Sequence, residues 1–318
     1  MLSHRVVVTE PGHVELESCD LPAPGSGQVV IQTQMTLISP GTERAFFLKL
    51  PNANLPYPLY PGYSNIGTVI RTGKDVESHW MGRRVASSGS HAAHVLMAAE
   101  DCHMLPDDLS SENAVFFNLI AIAMQATHKA RIELGESVIV IGAGLIGLFA
   151  MQLARLSGGL PVTIIDLDEK RLELAKSLGA DDIHTPETFD GQADVVIEAT
   201  GAPAAIQNAL TWAAQRGRVL LLGSARGDTD GINFYRDVHR KGVTIIGAHE
   251  INRPSVDNSP GFWRQYDEQR IALELLARRR LSTSATITHR FAWNDFPQAY
   301  DLLREGNAMA MLINWEEL

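Results

Sequence analysis

Gly142-Ala143-Gly144-Leu145-Ile146-Gly147 stands between the apolar run Ser137-Val138-Ile139-Val140-Ile141 and an apolar helical stretch, Leu145 to Leu156. Three glycines at this spacing, between a strand and a helix, suit a pyrophosphate. Gly142 permits the tight turn. Gly144 has no side chain to hold the phosphates off the backbone. Gly147 lets strand and helix pack closely. The helix start adds free N–H groups and the positive end of the helix dipole. Asp166 ends the next apolar run, about 20 residues on, where a ribose-binding acid is expected. Its carboxylate accepts from two ribose hydroxyls and repels a 2′-phosphate, which favours NAD over NADP. Leu167 and Arg171 follow it, and Lys170 with Arg171 leaves that preference open. Ala199-Thr200-Gly201 and Leu222-Gly223-Ser224 each follow a later apolar run, at the strand ends where such sheets bind ligands. Glycine after a strand is also common in plain loops.

The elements that must position these residues alternate. Strands are expected at 137–141, 162–165, 194–197, 219–222 and 243–246, with helices at 145–156, 169–178 and 203–214 between them. This is an α/β pattern, a parallel sheet covered by helices on both faces. The first hundred residues differ: short runs such as Val29-Val30-Ile31 and Thr68-Val69-Ile70 are punctuated by Pro and Gly. That region reads as β-rich with no long helical period. A long helix is expected at 114–130. After Gly247 come a helix at 261–279, a strand at 286–289, a helix at 295–304 and a strand at 309–314. This tail is expected to return to the first domain, giving 1–118 with 250–318 as one domain and 119–249 as the other.

The chain has 318 residues, 45% of them hydrophobic, enough for two ordinary cores. Its net charge of -10 argues against nonspecific binding to nucleic acid or anionic membranes. Cys19 and Cys102 stand far apart, so neither a disulfide scaffold nor a four-cysteine zinc site is available. No uncharged apolar run reaches about 18 residues, and the first residues alternate as a strand rather than a signal. A cytoplasmic protein with a small-molecule substrate is expected.

The order of parts resembles the medium-chain dehydrogenase/reductase superfamily: a GroES-like β-rich catalytic domain, a Rossmann domain, then a return segment. The resemblance rests on Pro61-Gly62-Tyr63-Ser64-Asn65-Ile66-Gly67, Gly82-Arg83-Arg84-Val85, Gly135-Glu136-Ser137-Val138 and Asp166-Leu167-Asp168. It implies hydride transfer with a nicotinamide cofactor. In zinc alcohol dehydrogenases of this family the early motif is C-G-[ST]-D; here it reads Pro40-Gly41-Thr42-Glu43. The G-H-E-x-x-G motif has Tyr63 and Ser64 in place of its histidine and glutamate. Asn118 aligns with the third ligand. Proline cannot ligate, neutral tyrosine is a poor ligand and the amide is weak, whereas zinc wants N or S donors. The cysteine-rich lobe for a structural zinc is missing between Arg84 and His91. No zinc is therefore expected. Gly41-Thr42-Glu43, Tyr57 to Tyr63 and Leu312-Ile313-Asn314-Trp315 are similar to a zinc-free branch. That branch includes hydroxyethyl-bacteriochlorophyllide dehydrogenase and relatives beside sugar-modifying oxidoreductases.

Without a metal, a hydrogen-bonding acid/base must serve the substrate oxygen. The candidates are Thr42 at the family's relay position, Tyr63 as a phenol donor, Glu43 and His91, with Asn118 read as a hydrogen-bonding group for substrate hydroxyls or as packing at a helix N-terminus. Glu43 also reads as a loop anchor paired with Arg44 or another basic group, and Tyr63 as a packed aromatic. His91 takes the position of an aromatic that faces the substrate in relatives, and it is read as an acid/base candidate. His94 reads as structural; His249 and Glu250 follow the last Rossmann strand. Polar groups in place of a metal point to a polyhydroxylated, sugar- or polyol-like secondary alcohol or its ketone. A zinc-free quinone or enoyl reductase and a non-catalytic dinucleotide-binding protein stay open as alternatives. The family resemblance also implies a homodimer through the strand near Val243 to Ile246.

Overall fold

The computed structural model describes residues 1–306 and 308–316. The chain divides into two compact units, Met1–Asn118 with Arg270–Leu318, and Leu119–Gln269. The return to the first unit thus falls at Arg270 rather than at 250. The α/β class with a β-rich unit and a parallel-sheet unit is as the sequence implied.

The first unit opens with a hairpin of β1 (Leu2–Glu10) and β2 (His13–Asp20). β3 (Gln28–Ile38) follows, then a helix, α1 (Pro40–Phe47). α1 was not expected in this β-rich stretch. Its proline occupies the first turn, where a missing N–H costs nothing. β4 (Asn65–Thr72), β5 (Arg84–Ser87), β6 (His94–Ala98) and β7 (His103–Met104) come next.

The helix expected at 114–130 is two: α2 (Ser111–Ala114) and α3 (Phe117–Ala130). The Ser64 hydroxyl donates to the Val115 carbonyl at the break, a bond from outside the helix.

In the second unit β8 (Val138–Ile141), α4 (Leu145–Leu156), β9 (Val162–Ile165), α5 (Glu169–Ser177), β10 (Asp182–His184), β11 (Ala193–Glu198), α6 (Pro203–Trp212), β12 (Ala213–Leu221) and β13 (Thr244–Gly247) alternate as expected, apart from the short added β10. Among the described residues they form a parallel sheet ordered β10-β9-β8-β11-β12-β13. The chain winds outward from β8 in one direction and from β11 in the other, so the switch point lies between those two strands. Ile139, Ile165, Val196, Leu210 and Val219 fill the core on one face.

α7 (Gln265–Ala277) begins four residues later than expected and carries the chain back. β14 (Ile287–Ala292), α8 (Phe296–Glu305) and β15 (Ala310–Asn314) complete the first unit. β15 pairs antiparallel with β3, which makes the return segment part of the main sheet, ordered β14-β15-β3-β4-β5-β7. α8 starts with Pro297 in its first turn and ends at Gly306, whose φ of +81° suits the left-handed cap. Its buried face packs Phe296, Tyr300 and Leu303 against Phe47, Ile38, Met311 and Trp315. Trp315 Nε1 donates to Thr36 Oγ1 at 3.0 Å, so the buried indole is satisfied. No helix among the described residues is long and apolar enough to cross a membrane.

The second unit has one buried charge hub. Glu268, fully buried, accepts from Arg253 Nε at 2.8 Å, from His128 Nδ1 at 3.0 Å and from Gln125 Nε2 at 2.7 Å. Removing one partner of a buried ion pair strands the other charge, which costs about 3–5 kcal/mol. Glu268→Ala should therefore lower the unfolding free energy extrapolated from urea titration by about that amount. A loss below about 1 kcal/mol, the range of exposed pairs, would contradict this role.

Candidate cofactor and substrate site

The glycine turn lies where β8 meets α4, beside the switch point. Gly142 N–H donates to the Ile165 carbonyl at 2.7 Å, and Ala199 N–H to the Ile141 carbonyl at 2.9 Å. A Cβ on Gly147 would lie 1.7 Å from the Gly142 carbonyl oxygen, so the close approach requires glycine. A Cβ on Gly144 would meet nothing within 4 Å. Gly144 therefore borders open space at the N-terminus of α4, the place a pyrophosphate needs. Leu145 and Ile146 begin the helix and turn its free N–H groups to that space.

Asp166 ends β9 and is half-buried. Its Oδ2 accepts from the Ala143 N–H at 2.6 Å and its Oδ1 from the Asp168 N–H at 2.9 Å. Each oxygen keeps a further lone pair for a hydroxyl donor. Leu167, next to it, is 77% exposed. Arg171 Nε stands 3.8 Å from Asp168, the N-cap of α5.

The loops after β11 and β12 interlock. Leu222 and Gly223 donate their N–H groups to the Glu198 carbonyl at 2.9 and 2.8 Å. A Cβ on Gly201 would lie 2.2 Å from the Ser224 carbonyl oxygen. Glu198, the residue before the expected Ala199-Thr200-Gly201 segment, anchors that turn. Its carboxylate accepts from the Thr200 N–H at 2.6 Å, the Gly201 N–H at 3.0 Å and the Thr200 hydroxyl. Burial pushes its carboxyl above the usual range, and the Thr200 and Gly201 hydrogen bonds oppose that rise.

The acid/base candidates fall in the first unit, and the structure joins two of them. His91 Nε2 and Glu43 Oε2 are 2.9 Å apart, His91 fully buried and Glu43 nearly so. Of the two expected partners of Glu43, Arg44 is bonded to the Arg304 carbonyl instead, and the other, a further basic side chain, is His91. Glu43 also accepts from the Ser39 N–H at 2.8 Å and from the Tyr300 hydroxyl at 3.2 Å. Burial, with the Glu43 carboxylate beside it, pushes the Tyr300 hydroxyl well above its usual value, so it stays a donor. Tyr300 lies 257 positions along the chain from Glu43, and no motif marked it.

His91 is buried against Gly62. A Cβ on Gly62 would lie 2.6 Å from the His91 nitrogen, and Gly62 has φ +94°. His91 N–H donates to the Pro61 carbonyl at 2.9 Å. Its Nδ1 is buried without a hydrogen-bond partner. Asn118 spends its amide N–H on the Tyr63 carbonyl at 2.6 Å, and Ser64 is bonded to Val115. These contacts fix the 62–64 turn. Thr42 and Tyr63 keep half-buried side chains. His94 meets the Ser3 hydroxyl, and His249 accepts from the Ile251 N–H; both are structural contacts.

This donor set does not fit a catalytic zinc. Pro40 offers no donor atom, the Asn118 amide is committed to backbone, and His91 turns Nε2 to Glu43. Among the described residues no group of three or more His, Cys, Asp or Glu side chains could hold a metal ion. Cys102 is buried, and burial pushes its thiol up to about 12. The glycine turn and Asp166, by contrast, fit a dinucleotide.

Residues 146–264 match the family model described as zinc-binding dehydrogenase. The matched stretch does not include Pro40, Tyr63 or Asn118. L-threonine 3-dehydrogenase of Photorhabdus laumondii is 27% identical over 342 aligned positions, covering 93% of this chain and 95% of that protein. Galactitol-1-phosphate dehydrogenase from Escherichia coli has a TM-score of 0.85 at 24% identity, covering 98% of this chain and 99% of that one. A short chain alcohol dehydrogenase from E. coli CFT073, complexed with NADH, has a TM-score of 0.85 at 18% identity, with the same coverage.

The two turn glycines separate binding from folding. Gly144→Val should abolish NADH binding, read by fluorescence titration, while shifting the melting temperature little. Gly147→Ala should destabilise the fold by about 1–3 kcal/mol or more through overpacking. The reverse pattern would place the phosphates elsewhere.

Proposed function

We propose that this medium-chain alcohol dehydrogenase-type enzyme transfers hydride between NAD and a polar secondary alcohol or its ketone, without a catalytic zinc. The observation that carries the reading is the cradle of the second unit. There an open space over Gly144 sits at a helix N-terminus, and Asp166 stands at the end of the neighbouring strand. A bound nicotinamide supplies the hydride chemistry, and the protein binds, orients and moves one proton. Gly142, Ala143, Gly144, Leu145, Ile146 and Gly147 hold the pyrophosphate. Asp166 accepts the ribose hydroxyls, and the exposed Leu167 offers an apolar face to the adenine. Ala199 to Gly201 and Leu222 to Ser224 border the nicotinamide half. The NADH bound by a relative of the same fold agrees with a nicotinamide cofactor. Asp166 weighs for NAD and against the NADPH-linked quinone or enoyl reductase reading.

In the first unit Thr42 and Tyr63 have hydroxyls that can serve the substrate oxygen. His91, buried on Glu43, is a positioning residue: it holds Gly62 and Tyr63 against α1, on which Thr42 rides. A polar, polyol-like substrate is supported by these hydroxyl groups. Relatives named for L-threonine and galactitol-1-phosphate act on polar molecules too. β13 is the outer strand of its sheet, with Thr244 and Ile245 exposed, and is the edge through which two copies would pair.

Absorbance at 340 nm tests the reading, with NAD and NADP each offered against polyols, sugars and secondary alcohols. NAD reduction by one polar class is expected; reduction with none of them would overturn it. Asp166→Ser should raise the Kd for NADH by about tenfold or more, since a hydrogen bond to a charged group is worth about 1.5–3 kcal/mol. Tyr63→Phe or Thr42→Ala, whichever removes the proton carrier, should cut kcat by about 10²–10⁴ with NADH affinity kept. If neither lowers kcat, the proton moves through another group.

A further inference from the structure

Arg226 lies in the loop after β12, at the carboxyl end of the sheet. Its backbone N–H donates to the Gly201 carbonyl at 3.0 Å, which pins it beside the loop after β11. The side chain is half-buried. Three arginines of the same unit stand at carboxylates: Arg218 on Glu136, Arg253 on Glu268, Arg171 near Asp168. The Arg226 guanidinium has no hydrogen-bond or ion-pair partner among the described residues. Its N–H donors keep some contact with water, and no protein acceptor offsets their partial burial. Burial accordingly pulls this guanidinium below its usual range, with no carboxylate to oppose it.

An arginine in that state is complete only when an anion arrives, because its planar fork matches carboxylate and phosphate oxygens. The dinucleotide's own anions have other places. Its pyrophosphate belongs over Gly144, at the end of β8. Its adenosine half belongs beside Asp166, at the end of β9. β12 lies on the opposite flank, two strands from β8, or about 10 Å at the usual strand spacing. That is the nicotinamide flank, where the reacting carbon of the substrate must come. We propose that Arg226 is the recognition residue for an anionic group, a carboxylate or a phosphate, carried by the substrate. The substrate class becomes an acidic hydroxy compound, such as a sugar acid or a sugar phosphate, rather than a neutral polyol. This inference rests on the NAD-linked reading above.

The test compares matched alcohols, sorbitol against gluconate and sorbitol 6-phosphate, and measures kcat/KM for wild type, Arg226→Gln and Arg226→Lys. Wild type should favour an acidic member by about tenfold or more. Arg226→Gln should erase that preference, and Arg226→Lys should restore part of it. The Kd for NADH should stay within about twofold across all three. Equal use of neutral and acidic members by wild type would overturn the proposal. So would a tenfold loss of NADH affinity in Arg226→Gln, which would make the arginine a cofactor ligand. A second readout does not depend on turnover. Inorganic phosphate or acetate, at matched ionic strength, should raise the melting temperature of the wild-type NADH complex and leave that of Arg226→Gln unmoved. No anion effect on the wild type would also overturn it. Absence of NAD reduction with every alcohol, together with anion stabilisation that needs Arg226, would sink the dehydrogenase reading and keep the anion site.

Discussion

The first unit depends on one buried carboxylate. Glu43 has lost almost all contact with water, and an ionised group in that position is tolerated only when it is paired and hydrogen-bonded. It draws its partners from three places. The Ser39 N–H comes from the start of its own helix, His91 from the turn before β6, and Tyr300 from α8. The last of these explains why the chain must come back. Without the return segment the carboxylate would lack the Tyr300 hydroxyl, and Phe47 would lack the edge of the Tyr300 ring, whose centroid lies 5.1 Å away. The same constellation holds the turn of the proposed substrate hydroxyls. His91 holds Gly62, and through Gly62 it sets the turn that carries Tyr63. The buried His91–Glu43 contact thus lies next to Thr42 in the chain and, through Gly62, next to Tyr63, and under the proposed reading these hydroxyls serve the substrate without a metal.

The second unit follows a different economy. Under the proposed reading its site needs little side-chain chemistry, because backbone N–H groups and the absence of Cβ atoms would do the binding. The Gly142 carbonyl sits where a side chain on Gly147 would be, and Glu198 ties the next loop by accepting from its N–H groups. Asp166 serves twice. It caps the Ala143 N–H across the turn and keeps lone pairs for a ligand. A fixed carboxylate of this kind needs no rearrangement when a ribose arrives.

The parts of this arrangement that were legible in the sequence are the local ones. The glycine turn, Asp166 and the alternation of strands and helices are written in neighbouring residues, and β9 was legible to the residue. The parts that were not legible depend on partners far away. Glu43 read as a loop anchor beside Arg44, and only the fold brings His91 and Tyr300 to it. The helix expected at 114–130 is broken because Ser64, about fifty positions earlier, takes the Val115 carbonyl. α1 is eight residues long and begins Pro40-Gly41, too short to show a helical period, although proline is well suited to a first turn. Arg226 drew no notice because its meaning lies in what it lacks, a partner, and sequence does not show that.

We propose that hydride transfer here relies on hydroxyls positioned by the buried His91–Glu43 contact rather than on zinc. The most direct measurement is the turnover of chelator-treated protein whose zinc content has been determined on the same sample. The account predicts NAD reduction at undiminished rate with far less than one zinc per chain. Activity that vanishes on chelation and returns in proportion to one added zinc per chain would contradict it.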